Sequence, residues 1–306
     1  MSYSKEIKNG VIRHISRYSK RIERLVCGVI QSACVLKTDA AGERFLSFSS
    51  ENANLIKLLK VYSENLRGYP GTCSLEKASK GKKGLRYYLR FSEPLSFLNL
   101  HKISCSGEQI SLEIPELINH KMQRKKDYIA GFFLGSGSIS DPSKSYHVEF
   151  LCRAEHQAEA LASLLGELGI RAKYLNRSSF WVVYIKDSAI IADLLSTMGA
   201  DSERFKFEDA KIIKEIRNRV NRQVNRDAAN MVKIADVSGR QVEAIKLIER
   251  KMGLDKLSSK LREAAEIRIK NPDLGLEELG KMLDPPLGKS GMNHRLKKIE
   301  KIADGL

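Results

Sequence analysis

Several patterns are missing from this 306-residue chain, and each absence removes a class of function. No apolar run approaches the ~20 residues that a bilayer span needs. The opening Met-Ser-Tyr-Ser-Lys-Glu-Ile-Lys has no apolar segment behind its charges to act as a secretory leader. A cytoplasmic protein with no membrane role is therefore expected. The five cysteines, Cys27, Cys34, Cys73, Cys105 and Cys152, form no C-x-x-C pair and have no histidine at zinc-ligand spacing, which points to buried free thiols and no metal site. Gly288-Lys289-Ser290 ends like a phosphate-binding loop. The earlier glycine of that motif would fall on Leu283 and no strand precedes it, so nucleotide binding is rejected and no cofactor is expected. The aromatic-rich motifs that stack unpaired bases are also missing, which weighs against RNA as the ligand.

What is present is positive charge on a foldable background. With 42% apolar and 29% charged residues the chain can bury a sizeable core, and its length suggests two domains. Lys plus Arg number 53 against 37 Asp plus Glu, for a net charge of +16 that calls for a polyanionic partner. The charge is uneven. Residues 1–126 carry 23 basic and 11 acidic side chains (+12), 127–199 carry 6 and 8 (−2), and 200–306 carry 24 and 18 (+6). Two basic regions flanking a near-neutral one suggest separate contact surfaces.

The first two hundred residues read as an internal repeat. Leu25-Val26-Cys27-Gly28-Val29-Ile30-Gln31-Ser32 resembles Tyr128-Ile129-Ala130-Gly131-Phe132-Phe133-Leu134-Gly135, offset by 103. Both segments read as buried helices, and Gly28 with Ser32, like Gly131 with Gly135, puts small residues four apart on one face, where two helix backbones can approach closely. In each copy the same order follows: a strand (44–49; 146–151), an amphipathic helix (54–66; 154–168), a second strand (85–91; 180–186) and a closing helix (94–100; 189–198), with further strands expected within 73–80 and 171–176. Two α-β-α-β-α halves, about 1–101 and 121–199, joined through their small-faced helices, predict a pseudo-twofold α+β domain over 1–203.

The segment Ile129-Ala130-Gly131-Phe132-Phe133-Leu134-Gly135-Ser136-Gly137 resembles the LAGLIDADG signature of homing endonucleases, and its continuation through Ser138-Ile139-Ser140-Asp141-Pro142-Ser143-Lys144-Ser145-Tyr146-His147-Val148-Glu149 closely resembles the bacterial WhiA (DUF199) family. In active members of the endonuclease family the signature helices end in acidic residues that hold a divalent metal beside the scissile phosphate, a chemistry that needs oxygen ligands. Set against the signature, those places fall on Gln31 and Ala33 in the first copy and on Leu134 and Ser136 in the second. None is a carboxylate. Asp141, before Pro142, and Asp39, in Thr-Asp-Ala-Ala-Gly, read as turn residues. A domain that keeps the fold and lacks the metal chemistry is expected, with a nuclease built on displaced carboxylates as the alternative.

Two basic stretches in this domain admit two readings each. Lys77, Lys80, Lys82, Lys83, Arg86 and Arg90 form a hairpin tip that either tracks phosphates, as a secondary DNA contact, or is simply solvated. Arg13, Arg17, Lys20, Arg21 and Arg24 read as a solvated helix face or a non-specific contact.

From Phe205 the strand signals stop. A polar helix over 207–222, with Ile212, Ile213, Ile216 and Val220 as its apolar stripe, leads into the Asn-rich 221–230, read as a hinge, so that 204–230 forms a linker. Helices at 241–251, 261–270 and 276–283 and a last one from Ser290 make 231–306 an all-α helix-turn-helix domain. With Met292, Leu296, Ile299 and Ala303 committed to the core, Lys289, Ser290, Asn293, His294, Arg295, Lys297, Lys298 and Lys301 are left for DNA. Asn293 and Arg295 have the bidentate geometry that reads bases, whereas the lysines suit phosphates. A small bundle with a solvated basic helix is the alternative. This block too is similar to the WhiA family, and to the promoter-reading domain of sigma factors; Pro285-Pro286 lengthens the turn before its last helix.

The resemblance implies a bacterial regulator of transcription tied to sporulation septation, cell division or chromosome segregation. It would be a nucleoid-associated monomer bound to double-stranded DNA at promoter or chromosomal sites, with a second regulatory protein as a further partner. The residues themselves support DNA binding without a metal site. An active metal-dependent endonuclease and an RNA-binding protein are the competing functions.

Overall fold

The computed structural model describes residues 2–16, 19–77, 85–119 and 121–306. The chain divides into two compact units, Met1–Lys214 and Glu215–Leu306. Among the described residues no helix is long and apolar enough to cross a membrane.

The first unit begins with α1 (Tyr3–Ile15), whose Ile7, Val11, Ile12 and Ile15 recur at helical spacing and are buried. Then come α2 (Ser19–Ala33), β1 (Val35–Thr38), β2 (Arg44–Ser50), α3 (Ala53–Glu64), β3 (Cys73–Lys77), β4 (Tyr87–Phe91) and α4 (Pro94–Leu100). A small hairpin, β5 (Cys105–Ser106) with β6 (Gln109–Ile110), and the short α5 (Glu116–Asn119) lead to the second copy. It comprises α6 (Met122–Ser136), β7 (Gly137–Ile139), β8 (Val148–Cys152), α7 (Glu155–Glu167), β9 (Lys173–Arg177), β10 (Phe180–Ile185) and α8 (Ser188–Thr197). The two four-stranded sheets are wholly antiparallel and have the same order, β1-β2-β4-β3 and β7-β8-β10-β9. Identical order around equivalent helices is the signature of a duplicated unit.

The axis of this unit is the contact between α2 and α6, and close approach of their backbones is what makes glycine necessary there. A Cβ on Gly131 would lie 1.9 Å from the Leu25 carbonyl oxygen, and one on Gly28 would lie 2.2 Å from that of Tyr128. One turn on, a Cβ on Gly135 would meet Ser32 Oγ at 2.0 Å. One continuous core surrounds the pair, with Phe48, Phe91 and Phe97 from the first half and Phe132, Phe133 and Phe150 from the second. All five cysteines are free, and burial pushes the Cys27, Cys34 and Cys152 thiols up to about 12, which keeps them protonated and unreactive.

The linker differs from the expectation. Helix α9 covers Asp201–Lys251 without a break, so the Asn-rich 221–230 is helical. Asn is a mediocre helix former, not a breaker, and the Val, Gln, Arg and Ala residues around it sustain the turn. The stripe of Ile212, Ile213, Ile216 and Val220 is more than half exposed, at 54, 57, 55 and 53%. Helical periodicity marks a face that could be buried; it does not supply a partner.

In the second unit α9 is followed by α10 (Ser259–Lys270), α11 (Leu276–Lys281) and α12 (Lys289–Ala303). They share a core of Ile245, Ile248, Leu261, Ala264, Ala265, Leu279, Leu283, Met292, Leu296, Ile299 and Ala303. Arg268 is only 2% exposed, and its guanidinium donates to Ser238 Oγ and to the carbonyls of Asn271, Pro272 and Leu274, fixing the turn between α10 and α11. Nothing in the periodicity signals this buried arginine.

Candidate nucleic-acid interface

Two surfaces bear on nucleic acid, one in each unit. In the second unit α11 and α12 are joined by a turn that returns closely on itself: Leu287 N donates to the Gly280 carbonyl at 2.9 Å, and a Cβ on Gly280 would lie 2.1 Å from Leu287 O. Met292, Leu296, Ile299 and Ala303 face the core, at 0, 0, 1 and 4% exposure. That commitment turns Ser290, His294, Lys297 with its neighbour Lys298, and Lys301 outward on the opposite side of α12, and all five are exposed. Lys289 is exposed at the first helical position, and Asn293 is half-buried at the edge of the face. Arg295 departs from the expectation. Its guanidinium turns toward α10, donating to the Lys260 carbonyl at 3.2 Å and to Glu263 Oε2 at 3.4 Å, so it braces α12 against its neighbour. Three cations and two polar residues thus line one helix face, with the polar residues nearer its N-terminus.

In the first unit the residues at the four acidic places of the signature have different surroundings. Gln31 is fully buried: its Nε2 donates to the carbonyls of Ser111 and Glu113 at 2.8 and 2.6 Å, and its Oε1 accepts from Tyr128 Oη at 2.8 Å. Leu134 is core. Ala33 is half-buried. Ser136 Oγ is buried and makes no hydrogen bond among the described residues. Asp39 and Asp141 close turns. Asp141 Oδ1 accepts from Ser143 N and Oγ at 2.9 and 2.6 Å, and Asp39 Oδ1 accepts from Ala41 N and Glu43 N at 3.0 and 2.9 Å. Arg90, hydrogen-bonded to Asp39, holds that carboxyl below its ordinary range. Among the described residues no three His, Cys, Asp or Glu side chains are grouped so as to hold a metal ion.

Of the basic hairpin tip, Lys80, Lys82 and Lys83 lie outside the described residues. Arg86 is exposed and pairs with Glu51 at 3.2 Å. The basic residues of α1 and α2 are not a purely solvated face. Arg21 and Arg24 hold the buried Asp127 at 2.7 and 3.6 Å, and Arg13 pairs with Glu203 at 2.6 Å. Sequence reasoning missed these pairs because the partners lie about a hundred or more residues away in the chain.

Beside the C-terminal ends of α2 and α6 lies a cavity of about 500 Å³. Lys5, Lys8, Arg86 and Arg153 line it together with one acid, Glu51, and the hydroxyls of Ser2, Ser4, Ser32, Ser49, Ser50 and Ser136. Neither Lys5, Lys8 nor Arg153 is signalled by a motif. They converge only through the fold.

Comparison with known proteins agrees with this architecture. The model of the WhiA LAGLIDADG-like domain matches residues 125–217, and that of the WhiA C-terminal HTH domain matches residues 220–303. The chain is 36% identical to the WhiA protein of Clostridium tetani and 39% identical to that of Clostridium acetobutylicum, each a probable cell division protein; the matches cover 100% of this chain and 98% of each relative. The crystal structure of full-length DUF199/WhiA from Thermotoga maritima is similar over 100% of this chain and 99% of its own, with a TM-score of 0.55 at 26% identity.

Proposed function

The chain belongs to the WhiA family, and from that premise we propose that it is a sequence-specific DNA-binding regulator of transcription acting in bacterial cell division, chromosome segregation or sporulation septation, without nuclease activity. The observation that carries this is the outward face of α12. The second helix of a helix-turn-helix presents its N-terminal residues to base edges in the major groove. Ser290, Asn293 and His294 occupy that end, while Lys297, Lys298 and Lys301 further along are suited to the phosphates on either side. We assign Arg295 to setting the pose of α12 rather than to base reading, because its guanidinium already donates to Lys260 and Glu263.

The first unit is a LAGLIDADG-like domain, and the places at which the LAGLIDADG signature carries carboxylates hold an amide, a methyl, an isobutyl and a hydroxyl group. Mg²⁺ needs one or two carboxylates besides phosphate oxygens. Nuclease function is accordingly lost through side-chain chemistry with the fold retained. Selection of bound genomic fragments by the full chain tests the proposal: recovery of a common sequence motif is expected, and recovery of random fragments would refute sequence reading. Incubation of supercoiled plasmid with Mg²⁺ should leave it uncut.

One feature favours a protein partner for the first unit. The outward face of its second sheet exposes Leu151, Leu175 and Phe180 by 40, 39 and 51%, apolar groups that a protein surface could cover; Leu151 and Phe180 also line the cavity described above.

A further inference from the structure

We propose that the cavity at the ends of the signature helices is an anion site that holds a phosphate group, with fixed cations standing where active endonucleases place metal ions. Lys8 Nζ donates to the Leu134 carbonyl at 3.1 Å, near the C-terminus of α6, and Arg153 donates to the Cys34 carbonyl, just past the C-terminus of α2. Each signature helix therefore ends on a side-chain cation. The partial negative charge that a helix C-terminus carries, which would repel a phosphate, is met at both ends.

Neither cation is exhausted by that contact. An ammonium has three donors and a guanidinium five, and each spends one on the helix carbonyl. Lys5 stands one turn before Lys8 on α1 and faces the same cavity, and Arg86 lines it from the first sheet. Against these four cations stands one carboxylate, Glu51, already paired with Arg86. The remaining lining brings six serine hydroxyls, the usual second component of phosphate recognition, beside the apolar Leu151, Cys152 and Phe180. Ser136 adds a polar group at the same place: it stands at an acidic position of the signature and lines the cavity, and its buried Oγ has no partner among the described residues. A buried hydroxyl without a partner is costly unless something fills the space beside it. Burial lowers the Lys8 ammonium to about 8, so it remains largely charged at neutral pH and can respond to an anion.

A phosphate here has two sources, the DNA backbone or a free phosphorylated compound. In the first case the inference rests on the DNA-binding function proposed above, and in the second it is independent of it. The test uses full-length protein, with pyrophosphate as the probe in calorimetry and a fluorescent 40-base-pair duplex in anisotropy across a salt series. The variant is Lys5→Ala/Arg86→Ala, which leaves the helix-capping Lys8 and Arg153 in place; Ser136→Ala is a second, smaller change. Wild type should bind one pyrophosphate, and the double variant should lose at least tenfold in affinity with its thermal midpoint nearly unchanged. Competition by the duplex, together with a salt slope reduced by about two in the double variant, would assign the site to the DNA backbone. Pyrophosphate binding that the duplex leaves untouched would assign it to a free phosphate compound. Absence of pyrophosphate binding with an unchanged salt slope, or binding indifferent to all these substitutions, would overturn the proposal. Pyrophosphate binding by a wild type with no DNA affinity would refute the DNA-binding function and leave the anion site standing.

Discussion

Neither signature helix carries a carboxylate at the acidic places of the signature, and the two polar residues found there, Gln31 on α2 and Ser136 on α6, differ in their surroundings. At the end of α2 the replacement, Gln31, is absorbed into structure: its amide bridges two carbonyls and a tyrosine hydroxyl in the core, and Gln157 Nε2 donates to its backbone carbonyl at 3.1 Å. On α6 the polar residue is Ser136, which corresponds in the repeat to Ala33 as Leu134 does to Gln31; it lines the cation-rich cavity, and its buried Oγ makes no hydrogen bond among the described residues. The two positions thus have consequences that can be told apart. A glutamine that saturates its hydrogen bonds holds the halves together, whereas a hydroxyl that makes none contributes no such bond to the fold. The first should show up in stability and the second in binding.

The largest effect should come from the shared axis on which both ends depend. Gly131→Ala drives a methyl group into the Leu25 backbone and should cost about 3 kcal/mol of the first unit's stability, measured by urea denaturation. Acid should separate the halves next. His101, fully buried in the first half and bonded to Tyr62 Oη and to the Phe97 carbonyl, is held down to about 4 by burial. Between pH 6.5 and 4 the unfolded chain binds a proton that the folded chain refuses, so stability falls as pH falls through that window. The expected loss is about 2 kcal/mol by pH 5 and should be largely removed in His101→Gln, measured the same way.

Gln31→Leu should cost about 2 kcal/mol by leaving Tyr128 Oη and two carbonyls unpaired. Ser136→Ala should change stability by less than about 0.5 kcal/mol. Equal costs for these two would erase the distinction between the two ends. Between these two lies the effect expected in the second unit, where Arg295→Ala should lower stability by about 1 kcal/mol by releasing α12 from Lys260 and Glu263, without changing which DNA sequence is preferred.

Much of this was legible in the sequence, for reasons that differ by element. The repeat, the small-residue faces of α2 and α6 and the core stripe of α12 could be read because they rest on periodicity and on the size of glycine, both local properties. The cavity could not be read. Lys5 and Lys8 lie on α1, Arg153 just after β8 and Arg86 just before β4, and only the pseudo-twofold fold brings them to one place. The contacts of Arg295 with Lys260 and Glu263 could not be read for a related reason: periodicity separates core from surface but does not distinguish a free flank from one that meets a neighbouring helix. The unbroken α9 was missed because composition was weighed above intrinsic propensity.

The central claim divides the work between the units: α12 reads sequence, and the vestigial nuclease end holds phosphate without cutting it. It is tested most directly by the ratio of affinities for a selected target duplex and a random duplex of equal length, at one salt concentration. His294→Ala/Ser290→Ala should bring that ratio toward one, while Lys5→Ala/Arg86→Ala should weaken both duplexes equally and leave the ratio unchanged. A ratio that collapses in the cavity variant and survives in the α12 variant would contradict the account.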